Sequence, residues 1–113
     1  MGLDLTLLPH KHHHTGGVPL LCESLRLDRD YGLFGKLRAC PSREAGALEV
    51  RCDSGWRTTQ TDPYGDPIRY ALAGDLAAVL VDVSSADVSP WNFAALAFLR
   101  ALPADVPVYL WWH

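Results

Sequence analysis

The stretch that most limits what this chain can fold into is Ser89 to His113, SPWNFAALAFLRALPADVPVYLWWH. Ser89 followed by Pro90 is a helix start: a side-chain oxygen accepts from the free amides of the first turn, and the next residue holds φ near its helical value. Between Trp91 and Leu102 only Asn92 and Arg100 are strongly polar. They lie roughly 80° from each other around a helix, a narrow polar strip on an otherwise apolar cylinder. Pro103 stops the helix, Ala104-Asp105 turn the chain, and Val106 to Trp112 read as a strand buried on both faces. A helix and strand of this kind belong at the centre of a core. Phe93, Leu96, Leu99, Val108 and Leu110 are its expected members.

The remaining segments are shorter. Leu3, Leu5 and Leu7 alternate with Asp4 and Thr6, a half-buried strand closed by Pro9. Leu20 to Leu27 alternate again, so the two strands suit an antiparallel hairpin with the polar HKHHHTGGV tract at its tip. Asp28 or Asp30 caps a helix through Arg38 that carries Leu33, Phe34 and Leu37 inward. Leu48, Val50 and Cys52 mark a third strand. Asp53 to Pro67 shows no period, and its Asp-Pro steps and Tyr64-Gly65 mark turns. Ile68 to Leu72 reads as a strand with Ile68, Tyr70 and Leu72 on one face. Asp75 opens a helix with Leu76, Val79, Leu80 and Val83 at i, i+3, i+4 and i+7. Most connections are too short for parallel crossovers. The expectation is a single α+β domain spanning 1–113, a mostly antiparallel sheet of about four to five strands with about two to three helices on one face.

Composition narrows the function classes. Apolar residues are 49 % and charged residues 20 % of the chain, the balance of a globular protein. The net charge is −3 with no lysine- or arginine-rich run, so the basic footprint of a nucleic-acid binder is missing. The cysteines, Cys22, Cys40 and Cys52, are odd in number and widely spaced, which reads as reduced thiols in a cytoplasmic protein. No run approaches the ~18 apolar residues of a membrane span, and MGLDLTLLP is too short and acidic for a signal peptide.

Three places carry candidate chemistry. In extended backbone His10, His12 and His14 point one way, and imidazoles so spaced can chelate zinc or nickel. No CxxC or HExxH completes a ligand set, so the competing reading is a solvated hairpin tip. Trp56, Arg57 and Tyr64 lie in the long aperiodic stretch and are the residue types that dominate interface hot spots. If Trp56 instead folds back as a lid, the interface moves to the exposed face of the last helix, around Asn92 and Arg100. Asp53, Asp62 and Asp66 match no calcium loop and read as turn caps. The Trp111-Trp112 pair sends its rings to opposite faces of the strand, where both are expected to be covered by helices. Catalytic motifs are missing: there is no GxSxG elbow or P-loop, and nothing places Cys40 or Cys52 beside a histidine.

Met1-Gly2-Leu3-Asp4, the Asp62-Pro63-Tyr64-Gly65-Asp66-Pro67 turn with its following strand, and Ala101-Leu102-Pro103 before an apolar strand are similar to small phage and prophage accessory proteins. The resemblance covers about a third of the chain and transfers no site residue. It implies a protein that binds a host macromolecule, inhibitors of bacterial defence systems among them. The expected function is therefore non-enzymatic protein–protein binding in the bacterial cytoplasm, with a homodimer as one form. The alternatives are a metal-binding or metal-sensing protein using His10, His12 and His14, and a small enzyme whose site is not visible in motifs. Neither nucleic acid nor membrane is an expected partner.

Overall fold

The computed structural model describes residues 2–9, 25–52 and 55–113, and only the backbone of 48–52 and 56. The centre is the strand Pro107–Trp112 (β7). On one side it pairs with Leu5–Pro9 (β1), with Leu5 opposite Trp112 and Leu7 opposite Leu110. On the other it pairs with Arg69–Leu72 (β6), with Ala71 opposite Val108 and Tyr70 opposite Tyr109. The short strands Leu25–Arg26 (β2) and Arg43–Glu44 (β3) pair with β1 and β6. The result is a five-stranded antiparallel sheet of order β2-β1-β7-β6-β3. With three helices beside it, the fold is α+β.

The side-chain period of two divides the sheet. Leu5, Leu7, Ala71, Val108, Leu110 and Trp112 point to the helical side and join the main core cluster. Leu8, Ile68 and Tyr109 are buried in a second cluster on the other face, with Tyr70 and Trp111 packed against it. Strand β7 is therefore buried on both sides, as its unbroken apolar run requires. Only Trp112 of the tryptophan pair lies under helices. Its ring meets Phe34 edge-on at 5.7 Å between centroids. Trp111 faces away, because the helices occupy one side of the sheet.

Helix Tyr31–Ala39 (α1) begins at Asp30, whose Oδ1 accepts from the Leu33 amide at 3.0 Å, and it buries Leu33, Phe34 and Leu37. Helix Ala73–Val79 (α2) starts two residues before Asp75 and has no side-chain cap. Its first amides are satisfied by the chain entering β7: Ala73 donates to Val106 and Gly74 to Ala104, each at 2.9 Å. This approach needs Gly74, since a Cβ there would sit 2.8 Å from that of Ala104. Leu80 and Val83 are buried as expected, but from the turns after α2. Helix Pro90–Ala101 (α3) takes Ser89 as its N-cap, with Oγ accepting from the Asn92 amide at 3.1 Å.

Two expectations need correction. Asp53–Pro67 is not one loop: Gly55–Thr59 (β5) forms an antiparallel ribbon with Leu48–Cys52 (β4), separate from the main sheet. Trp and Thr are good strand formers, and in GWRTT it is this propensity, not an apolar period, that marks the strand. In β6 Ile68 and Tyr70 share one face as expected, and it is the second face of the sheet; Ala71 takes the helix side, and Leu72 is 37 % exposed. The larger residues mark the second sheet face. Phe93 is half-buried and stands outside the main cluster, whereas Leu96, Leu99, Val108 and Leu110 all belong to it.

Leu96 is fully buried between α3 and the sheet. Leu96→Ala is expected to lower stability by about 2–5 kcal/mol, the range for a buried leucine whose cavity stays open, with a shifted urea midpoint as the readout.

Candidate functional site

The polar strip expected on α3 is half inside out. Asn92 is 1 % exposed. Its Oδ1 accepts from the Asp28 amide at 2.7 Å and its Nδ2 donates to the Asp28 carbonyl at 2.9 Å. One carboxamide thus satisfies both backbone groups of a residue at the entry to α1, as buried polar atoms require. The Asp28 carboxylate accepts from Ser89 Oγ at 2.7 Å, and the carbonyl of Arg26 accepts from the Trp91 indole at 2.6 Å. The segment from Arg26 to Asp28 so grips the first turn of α3 through three side chains. Asn92 is withdrawn as a partner-binding residue: it is a buried clamp, placed there because a strand end with open amide and carbonyl groups lies against the helix.

With Asn92, Ala95, Leu96 and Leu99 facing inward, the opposite side of α3 holds Trp91, Ala94, Ala97, Phe98 and Ala101, all exposed. Trp91 is 56 % and Phe98 44 % exposed. This face carries no charged or hydrogen-bonding side chain apart from the indole N–H already bound to Arg26. Arg100 lies at its border and is itself employed. Its Nη2 donates to the carbonyls of Leu80 at 2.9 Å and Val83 at 3.3 Å, closing the turns that follow α2. Arg100 therefore frames the apolar face and braces the helix pair.

The other expected residues do not converge on it. Arg57 is exposed on β5, and the side chain of Trp56 lies outside the described residues. Tyr64 is 55 % exposed, and its hydroxyl donates to the carbonyl of His113 at 3.1 Å, at the far end of β7. Asp62 caps its turn as expected, with Oδ1 accepting from the amides of Tyr64 and Asp66. His10, His12 and His14 lie outside the described residues, so the metal reading has no geometry here. Among the described residues no group of three or more His, Cys, Asp or Glu is placed to hold a metal ion. No helix among them is long and apolar enough to cross a membrane.

Two polar places were not legible in sequence. His113 Nε2 lies 2.8 Å from Thr6 Oγ1, the one imidazole–hydroxyl contact among the described residues. Asp4 lies near but is committed to Arg29 at 3.0 Å and Arg26 at 3.4 Å. The hydroxyl is therefore the side-chain partner of the ring, and the Asp4 carboxylate is engaged by the two arginines. Elsewhere, a cleft of about 350 Å³ lies between the end of α1 and the 62–67 turn. Arg38 stacks over Trp112 on its wall at 4.4 Å, and Arg69 is tied to Ser42 by two 2.7 Å bonds. The Cys40 thiol is buried, which pushes its pKa up, with Asp75 adding to the effect; it is a poor nucleophile.

Compared with known proteins, the chain matches no family model, no curated protein and no solved structure at a significant level.

Two outcomes follow from this geometry. Asn92→Ala leaves the Asp28 amide and carbonyl without their partners and is expected to cost about 3 kcal/mol in a denaturant titration. The His113 imidazole is held below its usual value near 6.5, by burial first and then by Arg26, with Asp4 opposing. Protonation then favours the unfolded chain, so this contribution is complete above about pH 6.5 and is lost as the pH falls below it. Melting temperatures measured from about pH 8 to about pH 5 should fall less for His113→Gln than for the native chain.

Proposed function

We propose that this chain is a non-enzymatic binding protein that works by protein–protein contact, with the outward face of α3 as its contact surface. The observation that supports this reading is the exposure of Trp91 and Phe98 on a face otherwise made of Ala94, Ala97 and Ala101. Contiguous exposed apolar surface with a polar border is characteristic of interaction sites, and tryptophan is among the commonest energetic anchors. The Trp91 indole is already held by the Arg26 carbonyl, so docking need order it little further. A net charge of −3 without a basic run favours a protein partner over nucleic acid. The setting rests on the sequence resemblance alone: a small phage or prophage accessory protein in the bacterial cytoplasm, binding a host protein or complex and inhibiting a defence machinery.

The test is affinity capture from bacterial lysates with the native chain and with Phe98→Glu, read by quantitative mass spectrometry. Host proteins retained by the native chain are expected to drop about thirtyfold on the variant, the effect of losing one hot spot. The melting curve should stay near-native because residue 98 is exposed. Equal recovery on both would overturn this choice of surface.

A further inference from the structure

The outward face of α3 is its own complement. Along it, Trp91, Ala94, Phe98 and Ala101 alternate large with small, and the steps of three, four and three residues read the same in either direction. Two such helices laid antiparallel about a two-fold axis beside Leu96 set Trp91 of each against Ala101 of the other, and Phe98 of each against Ala94. Every large side chain then meets a small one, the condition for close packing without clash or void. Aligned in parallel in the same register, Trp91 would meet Trp91 and the alanines would face each other across a gap. The antiparallel arrangement also opposes the two helix dipoles.

We propose that a second copy of this chain occupies the face, through isologous antiparallel pairing of α3 with α3. This rests on reading α3 as a protein-binding surface and names its first occupant. The size of the face sets the strength. A half-exposed tryptophan and phenylalanine with three alanines remove on the order of 400 Å² per copy, about half the area of a standard interface. The dimer is therefore reversible, with a dissociation constant on the order of 100 µM, and a tighter partner displaces the second copy.

Sedimentation equilibrium of the intact chain, from about 10 µM to about 1 mM, reads this directly. The weight-average mass should climb from the 12.5 kDa monomer toward twice that value. Phe98→Ala sets alanine against alanine, and Ala94→Phe sets ring against ring; each should weaken association about tenfold. The double variant Ala94→Phe/Phe98→Ala restores large against small in the same register, and association should return to within about threefold of native. All of these positions are exposed, and circular dichroism melts confirm that each variant folds. A native chain that stays monomeric at about 1 mM, single variants that associate like the native chain, or a double variant as weak as the singles would overturn the pairing. A monomeric chain that still loses its captured host protein on Phe98→Glu would keep the docking surface and discard only the second copy.

Discussion

A strand paired along both edges and covered on both faces has no freedom left, and β7 is in that position. Its amides and carbonyls are divided between β1 and β6, and its side chains between two clusters. The neighbouring elements take their places from it. Helix α2 starts where the chain entering β7 offers the carbonyls of Ala104 and Val106, and α3 lies over the face that Val108 and Leu110 present. Among the described residues the edge strands β2 and β3 are two residues long each, and short edge strands offer little ladder for another chain to join.

The second organising contact is the Asn92 carboxamide on the backbone of Asp28. A buried amide without partners is expensive, but one that satisfies a donor and an acceptor together is a specific lock. It sets the rotation of α3 about its own axis. Once Asn92 must face inward, Trp91, Ala94, Phe98 and Ala101 must face outward. The exposed apolar face is thus a geometric consequence of an internal hydrogen-bond pair, and turning the helix to hide it would break that pair.

Much of the fold was legible because the relevant signals are local. Ser89-Pro90, Asp30, Pro103 and the unbroken apolar run of β7 each carry their own start, stop or burial signal, and all lie where the sequence places them. What stayed hidden depended on partners distant in sequence. The start of α2 is supplied by residues 104–106, not by a cap of its own. Strand β5, GWRTT, has no apolar alternation of its own and is paired in register with β4. Apolar clusters on both faces of the sheet leave a short strand such as β6 without a local sign of which side meets the helices. For the site, the last helix was named, but its rotation was taken from the rule that polar residues face water. Asn92 breaks that rule for a reason sixty-four residues away. The bonds of Arg100 to the Leu80 and Val83 carbonyls are equally distant in sequence and have no local signal.

The pairing of β1 with β7 has a kinetic meaning. The Thr6–His113 contact spans 107 positions, and the strands beside it must be brought together before the sheet has a middle. No local hairpin contains the central pair, so early structure is confined to α1, α3 and the β4–β5 ribbon, and until the sheet forms the two helices have nothing to pack their core residues against. Closing so long a loop is entropically slow, and topologies dominated by distant contacts fold in milliseconds to seconds. Until that closure occurs, the sticky side of β7 and the bare side of α3 are both open to the surroundings. The folding chain therefore depends on dilution or a chaperone for longer than its small size implies.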